Sequence, residues 1–385
     1  MIISPALRTR SVSEYYFSKK NREIAQMNAD GRSEPVINLG IGAPDGRPPE
    51  LAIDTLCETA RKNGVHKYQS YSGIPELREA FAAWYRRWYG VELNPEKEIQ
   101  PLVGSKEGIL LVSLAFLNPG DKVLIPNPGY PTYASSARLC EAEPLFYDLC
   151  ADRGWEPDLE ALERSDLSGV KLMWTNYPNM PTGAPASREL YERLVDFGRR
   201  HGIMICNDNP YSFILCEEHL SILAVPGAME GCLELNSLSK AHNMSGWRLG
   251  MIAAQEDVIR EVLKVKSQMD SGIFRPLQLA AVAALSEGEA WFYQLNKEYR
   301  ARRAAACRIM DLLGAQYNPD CCGLFVWGRV GGDAAVLSDK FLYEAGVFIT
   351  PGFVFGSNGK EYLRISLCAP VPVLERAWEK IKAVL

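Results

Sequence analysis

The 385-residue sequence has little that would direct it to a membrane, a metal ion or a nucleic acid. Its longest apolar runs, such as residues 277–285, are far shorter than a membrane span, and its first residues lack the apolar core of a signal peptide. The formal net charge of −5 provides no basic surface for nucleic acid. The four histidines show no metal-ligand spacing. We therefore expect no metal, no membrane and no nucleic-acid partner.

The ten cysteines are scattered along the chain, and none forms a C-x-x-C pair. This spacing indicates neither a zinc ribbon nor a disulfide framework. Most of the cysteines lie beside apolar residues, which predicts buried thiols in a reducing compartment. We therefore expect a cytoplasmic protein. The adjacent pair Cys321 and Cys322 has no role that the sequence identifies.

Strand-like and helix-like segments alternate through the first two thirds of the chain. The β-type runs are 121–126, 170–175, 202–207 and 232–236. One helical pattern starts at Pro75 and stops at Gly90, and another is capped by Ser187 and stops at Gly202. The alternation predicts an α/β fold with a mainly parallel sheet. Ligands of such sheets bind beyond the carboxyl ends of the strands.

The last hundred residues follow a different pattern. A long charged helix at about 287–313 is followed by apolar runs at 324–327, 347–349 and 362–367, and then by a closing helix. This α+β pattern predicts a second, smaller domain.

The most informative segment is residues 237–250, SLSKAHNMSGWRLG. Its Lys240 is preceded by two small hydroxyl residues, Ser237 and Ser239, with Gly246 six residues later and Arg248 eight residues later. The lysine amine can form a Schiff base with an aldehyde, while the hydroxyls and the guanidinium bind a phosphate. An aldehyde and a phosphate on one molecule describe pyridoxal phosphate (PLP).

This segment resembles that of the PLP-dependent aminotransferases of fold type I, class I/II, which reads S-x-S-K-x-x-x-x-x-G-x-R-x-G. The resemblance continues in the family's order from Gly42 to Arg364. It implies a large PLP-binding domain at 46–285, with helices on both faces of a mainly parallel seven-stranded sheet. It also implies a small discontinuous α+β domain formed by 1–45 and 286–385.

The activity that the resemblance implies is the transfer of an amino group between an L-amino acid and a 2-oxo acid. In such a ping-pong reaction, Lys240 is the Schiff-base lysine and also the general acid and base. A lysine with an ordinary pKa near ~10.4 would be protonated, so its surroundings must lower that pKa.

Three residues resemble those that hold the cofactor ring in the family. Asp208 and Tyr211 form a D-x-x-Y element after an apolar run, with Asp208 against the pyridine nitrogen and the Tyr211 hydroxyl on the phenolate oxygen. Tyr130, in a P-x-x-x-Y-P-x-Y element, would stack on the ring. The resemblance makes Asp208 and Tyr211 part of the catalytic set with Lys240.

The phosphate site begins at Gly104, which precedes a helical pattern, and backbone amides at a helix start attract anions. The resemblance gives this role to the backbone of Ser105 and Lys106. The shell is completed by Ser237, Ser239 and Arg248. Tyr68, in a Y-x-x-x-x-G-x-P-x-L-R element, would reach the phosphate of the neighbouring subunit, which implies a homodimer with shared active sites.

The substrate carboxylate is expected to meet an arginine, because a planar guanidinium binds a carboxylate through two hydrogen bonds. Arg364, in an alternating apolar run, resembles the family's C-terminal arginine. Gly42 resembles the family's N-terminal glycine, whose amide meets the same carboxylate. Arg275 is a candidate second cation for a distal carboxylate, although a salt bridge at the rim is the simpler expectation.

The loop at 176–183, NYPNMPTG, departs from the family's N-x-P-N-N-P-T-G. Met180 replaces the Asn that bonds the phenolate oxygen and the substrate carboxylate, and a thioether cannot donate that bond. We assign Asn179 to cofactor and substrate binding, with Asn176 or Tyr211 alone as alternatives. Loss of the bond is expected to raise the pKa of the Schiff base.

The same motifs also serve a PLP-dependent carbon–sulfur β-lyase, which remains the alternative to an aminotransferase. A PLP-binding regulator would carry an additional DNA-binding domain, which the early position of Gly42 and the lack of basic charge disfavour. The sequence does not identify the amino donor or the acceptor.

Overall fold

A computed structural model describes residues 3–385. Met1 and Ile2, which begin the segment predicted for the smaller domain, lie outside the described residues. The α-helices, numbered α1 to α13, are Tyr16–Ala29, Glu50–Ala60, Pro75–Tyr89, Ser105–Phe116, Pro131–Leu139, Leu159–Glu163, Arg188–His201, Leu238–Ala241, Glu256–Lys266, Arg275–Leu285, Glu289–Leu312, Ala334–Lys340 and Val371–Lys382. The strands, numbered β1 to β13, are Ile37–Asn38, Ile99–Leu102, Lys122–Asn127, Glu143–Asp148, Val170–Thr175, Met204–Asp208, Cys232–Ser237, Gly250–Ala254, Gln316–Tyr317, Phe325–Arg329, Val347–Phe348, Thr350–Pro351 and Tyr362–Ser366.

A seven-stranded sheet with the order β2-β8-β7-β6-β5-β3-β4 forms the centre of the fold. All neighbouring pairs from β7 to β4 are parallel, and β8 runs antiparallel to both β7 and β2. The prediction of a mainly parallel seven-stranded sheet is confirmed.

Both faces of this sheet are buried, because successive side chains of a strand point to opposite faces. Val123 and Ile125 of β3 pack in one apolar core with residues of α4, α5 and α9, whereas Leu124 packs in another with residues of α3 and α7. The helices therefore cover the sheet from two sides, as a parallel sheet requires.

Local signals determine where the helices begin and end. The Ser187 hydroxyl accepts a hydrogen bond from the Leu190 amide at 3.0 Å, which caps α7. Gly90 and Gly202 follow α3 and α7 with φ angles of 67° and 65°, a left-handed conformation that glycine adopts at low cost. The predicted cap and both predicted stops are confirmed.

The C-terminal part contributes a four-stranded antiparallel sheet of order β12-β13-β10-β9. A separate parallel pair joins β1 to β11, with Ile37 opposite Val347. The predicted apolar runs become β10, β11 and β13, and the long charged helix becomes α11. This pairing holds the N-terminal segment against the C-terminal strands.

Within residues 3–385, no helix has both the length and the apolar character needed to cross a membrane. The ten cysteines are free thiols, and only Cys57 is exposed, while the other nine are buried or partly buried. The Cys321 and Cys322 thiols donate to the carbonyl oxygens of Phe325 and Leu215 at 3.2 and 3.3 Å. These two thiols pack inside the fold.

Candidate active site

A cavity of about 310 Å³ opens at the edge where the parallel strands of the large sheet end. The segments that follow β2, β3, β5, β6 and β7 all contribute to its wall. Among the residues proposed from the sequence, the cavity is lined by Gly42, Ser105, Lys106, Tyr130, Asp208, Tyr211, Ser237, Ser239, Lys240, Arg248 and Arg364. Residues separated by more than 300 positions in the chain therefore meet in one place.

Lys240 lies in the short helix α8, directly after β7. Its Nζ donates to the carbonyl oxygen of Gly42 at 2.6 Å, so the amine lies at the cavity wall. Burial lowers the pKa of Lys240 below its ordinary value, since a charged amine loses hydration there. The surroundings therefore shift the amine toward its neutral form, which is the nucleophilic and basic form.

Asp208 ends β6, and its side chain is buried. One carboxylate oxygen, Oδ2, accepts a hydrogen bond from the Tyr133 hydroxyl at 3.0 Å, whereas Oδ1 has no partner among residues 3–385. Burial raises the pKa of Asp208 to about 7, although Tyr133 and Lys240 act in the opposite direction. A buried acceptor without a partner fits a protonated ring nitrogen.

Hydroxyl, guanidinium and amide donors cluster at another part of the cavity. The Ser237 hydroxyl donates to the Ser239 hydroxyl at 2.8 Å, and Arg248 Nη1 lies 3.4 Å from the same Ser239 oxygen. Gly104, at a φ of 79°, precedes α4, and a Cβ added there would overlap the Arg248 guanidinium. These donors at a helix start fit a phosphate dianion.

Arg364 on β13 is a buried cation. Its Nη2 donates to the carbonyl oxygen of Gly40 at 2.7 Å, and its Nη1 contacts the Met180 sulfur at 3.4 Å. Its Nε has no hydrogen-bond partner among residues 3–385, and burial lowers its pKa to about 10. A buried guanidinium with unused donors is suited to bind a carboxylate brought by a substrate.

The loop after β5 brings Asn176 and Met180 to the cavity instead of Asn179. The Asn179 amide donates to the Asn176 carbonyl oxygen at 3.1 Å, and its oxygen accepts from the Thr182 hydroxyl at 2.6 Å. The Asn176 side chain bonds the Asp208 carbonyl oxygen at 2.6 Å. Both polar groups of the Asn179 side chain are therefore hydrogen-bonded within the loop, and its predicted role in cofactor and substrate binding stays a prediction.

Two other residues named from the sequence lie outside this cavity. Tyr68 is 89% exposed, and its predicted contact with a neighbouring subunit stays a prediction. Arg275 Nη2 pairs with Glu76 Oε1 at 2.8 Å. Arg275 therefore forms the salt bridge that was the simpler expectation, and its proposed role with a distal carboxylate has no support.

Several lining residues were not proposed from the sequence. The aromatic ones among them are Tyr15, Phe17, Tyr133, Phe325 and Phe355. The rings of Phe325, Phe355 and Phe17 surround the Arg364 guanidinium, with centroid distances of 3.9, 4.5 and 5.4 Å. Tyr133 belongs to the same P-x-x-x-Y-P-x-Y element as Tyr130, which was the available signal for it.

Taken together, the cavity offers the groups that PLP requires: a lysine amine of lowered pKa, a carboxylate oxygen without a partner, and a cluster of phosphate donors. Tyr130 and Tyr211 also line the cavity beside them. The residues present therefore fit this cofactor.

Comparison with known proteins gives consistent similarities. A family model for aminotransferase class I and II matches residues 34–381. The LL-diaminopimelate aminotransferase of Desulforudis audaxviator (strain MP104C) is 40% identical over 384 residues, covering 99% of this chain and 97% of the relative. The substrate-bound structure of BacF from Bacillus subtilis is 33% identical with a TM-score of 0.94, covering 100% and 98% of the two chains. A single mutant of Thermus thermophilus aspartate aminotransferase is 28% identical with a TM-score of 0.92, covering 100% of each chain.

Proposed function

Because the chain belongs to the class I and II aminotransferases, which are PLP-dependent enzymes, we propose that its amino donor is a long diamino dicarboxylic acid such as LL-diaminopimelate. The enzyme transfers an amino group between an amino acid and a 2-oxo acid. The observation that carries the substrate proposal is the 40% identity, over 99% of the chain, to a relative named for this donor. Nothing in the similarities favours the β-lyase alternative.

The proposed roles of the site residues follow from their surroundings. When bound, PLP supplies an electrophilic aldehyde and a ring that withdraws electrons from the substrate α-carbon. Arg364 binds the substrate α-carboxylate and fixes which bond of the α-carbon faces Lys240. The Lys240 amine, whose pKa is lowered, takes the α-proton and later returns a proton as general acid. The Asp208 carboxylate holds the ring nitrogen in its protonated form.

The position of the Lys106 side chain supports the proposal that the amino donor carries a second carboxylate. Its Nζ lies 4.5 Å from the ring centroid of Tyr15 and 5.9 Å from that of Tyr130, and all three residues line the cavity. Aromatic faces hold an ammonium without neutralising it. The side chain of Lys106 is thus available for a distal carboxylate, while its backbone remains at the start of α4.

A donor pair that differs in one group tests this proposal. LL-diaminopimelate and L-lysine share the chain of a long diamino acid, but only the former has a distal carboxylate. With 2-oxoglutarate as acceptor, glutamate formation should be faster with LL-diaminopimelate, and Lys106→Met should reduce this preference about tenfold or more. Equal rates for the two donors, or activity with L-aspartate alone, would reject the proposed substrate.

We also propose the domain division, the dimer and the location that the sequence predicts. Strands of the large sheet lie between Ile99 and Ala254, and β1 pairs with β11, which supports domains of 46–285 and of 1–45 with 286–385. The exposed Tyr68 supports a contact with a neighbouring subunit, and the nine shielded free thiols support a cytoplasmic location.

Complementation between subunits tests the shared site. Each proposed site takes Lys240 from one subunit and Tyr68 from the other. A mixed dimer of a Tyr68→Phe subunit and a Lys240→Ala subunit therefore has one site with both defects and one site with neither. Activity of the co-expressed pair above the sum of the two parents is expected. Activity equal to that sum would contradict the shared site.

A further inference from the structure

Tyr133 is the hydrogen-bond partner of Asp208 and lies in the first turn of α5. Its side chain is fully buried, and its hydroxyl donates to Asp208 Oδ2 at 3.0 Å. Its ring stacks on Trp174 with a centroid distance of 5.1 Å and an interplanar angle of 7°, and it meets the edge of Tyr130 at 5.6 Å. Packing on these two rings fixes the position of the hydroxyl.

The two oxygens of Asp208 have different surroundings as a result. Oδ2 is occupied by Tyr133, whereas Oδ1 is buried and has no partner among residues 3–385. The terminal torsion of an aspartate is broad, so a carboxylate held by neither oxygen would rotate. The hydrogen bond from Tyr133 therefore determines which carboxylate oxygen remains free.

We propose that Tyr133 is a positioning residue of this enzyme, because its hydroxyl occupies Oδ2 of Asp208, fixes the plane of the carboxylate and leaves Oδ1 as the acceptor for the cofactor's ring nitrogen. This inference rests on the proposed role of Asp208. It adds that Asp208 is held ready by a side chain that does not itself contact the ring nitrogen.

The electrostatic effect of Tyr133 acts in the same direction. Burial raises the pKa of Asp208, and the hydrogen bond from Tyr133 lowers it. A donor to a carboxylate stabilises the charged form, and the charged form retains the proton on the ring nitrogen. Removal of the hydroxyl should therefore shift that proton from the ring nitrogen toward the carboxylate.

Tyr133→Phe removes the hydroxyl and keeps the ring, and Tyr147→Phe is its matched control. Tyr147 is also buried, and its hydroxyl donates to the Trp174 carbonyl oxygen at 2.7 Å without contacting Asp208. Each variant loses one buried phenol hydrogen bond, so a general loss of stability should be similar in both.

The readouts are the 15N chemical shift of ring-labelled PLP against pH and the affinity of the apoprotein for PLP. In Tyr133→Phe, the 15N chemical shift at a given pH should move toward the value of an unprotonated ring nitrogen, and the PLP dissociation constant should rise about tenfold. In Tyr147→Phe, both quantities should remain at their wild-type values. A site-specific 3-fluorotyrosine at position 133, a more acidic donor, should move the 15N chemical shift toward the value of a protonated ring nitrogen and serves if Tyr133→Phe does not fold.

Asp208→Asn separates failure of this inference from failure of the proposed function. If Asp208→Asn changes the 15N titration but neither substitution at position 133 does, Tyr133 has no positioning role. If Asp208→Asn also leaves the 15N titration and the PLP affinity unchanged, the proposed role of Asp208 is itself wrong. A change of the same size in Tyr133→Phe and Tyr147→Phe would also reject the inference.

Discussion

Met180 is the residue at which this site departs most clearly from the family pattern. Its sulfur contacts Arg364 Nη1 at 3.4 Å. Its backbone N–H cannot replace the missing side-chain donor, because it already donates to the Asn176 side-chain oxygen at 2.8 Å. A thioether offers Arg364 a weak acceptor and offers the ring phenolate oxygen no donor. Tyr211, which lines the cavity, is then the side chain we expect to bond that oxygen.

Met180→Asn should therefore lower the pKa at which the visible absorption band of the holoenzyme titrates. An added donor to the phenolate oxygen stabilises the anionic form, by an amount on the order of 1 kcal/mol for one hydrogen bond. Met180→Leu, which has a similar volume and no donor, should leave the titration unchanged. An unaltered titration in Met180→Asn would show that the position does not reach the phenolate oxygen.

At the residue scale, most of the site residues proposed from motif spacing do line the cavity. The spacing did not predict how the side-chain amides of the loop at 176–183 are oriented. The run around Lys240 and the Asp208–Tyr211 element each lie directly at the end of a strand, so the sequence spacing was enough to predict where they lie. The choice between Asn176 and Asn179 depends on hydrogen bonds inside the loop, such as that from Thr182 to Asn179. No periodicity in the sequence reports those bonds.

Among the elements, the antiparallel pair β7 and β8 supports the proposed phosphate donors through a close backbone contact. Gly250, the first residue of β8, packs so that an added Cβ would lie 2.6 Å from the Asn236 carbonyl oxygen and 2.9 Å from the Ser105 amide nitrogen. Both neighbours are backbone atoms, which cannot move without shifting β7 or the start of α4. The final glycine of the S-x-S-K…G-x-R-x-G segment is explained by this contact.

Gly250→Ala should weaken PLP binding by roughly tenfold or more, since it displaces the Ser105 amide from the proposed phosphate site. Gly231→Ala is the control, because a Cβ at Gly231 meets nothing within 4 Å. Equilibrium dialysis of each apoprotein with PLP measures the difference. Equal PLP affinities in the two variants would contradict the close packing at Gly250.

Elements with local signals were predictable, and those that depend on distant pairing were not. The cap at Ser187 and the stops at Gly90 and Gly202 are encoded within a few residues of each helix end. By contrast, Tyr15 and Phe17 reach the cavity in a part of the chain that is anchored where Ile37 pairs with Val347. That register depends on tertiary packing, and local sequence patterns do not contain it.

On the scale of the whole molecule, stability in acid is linked to one buried histidine. His242 lies between the rings of Trp84 and Phe292, at centroid distances of 5.2 and 5.7 Å, and neither ring nitrogen has a partner among residues 3–385. Burial lowers the pKa of His242 to about 3. Below pH 6.5, His242 therefore becomes protonated in the unfolded chain but stays neutral in the folded protein until the pH approaches 3.

The free energy of unfolding should fall as the pH decreases from 6.5 toward 3, because the unfolded state binds a proton at His242 in this range and the folded state does not. At pH 5 the loss is about 2 kcal/mol relative to neutral pH. Urea unfolding of the apoprotein at pH 7.5 and pH 5 should show a smaller loss in His242→Phe than in wild type. The exposed His66→Gln should lose as much as wild type; an equal loss in His242→Phe would show that His242 does not titrate in this way.

Attachment of the PLP aldehyde to Lys240 is the chemical claim on which the proposed roles of the other residues depend. Borohydride reduces the carbon–nitrogen double bond of the holoenzyme, and peptide mapping by mass spectrometry then locates the modified side chain. We predict a single reduced adduct on the peptide that contains Lys240, and none in Lys240→Ala. An adduct on Lys106, the other lysine that lines the cavity, or no adduct in the wild-type holoenzyme, would contradict the claim.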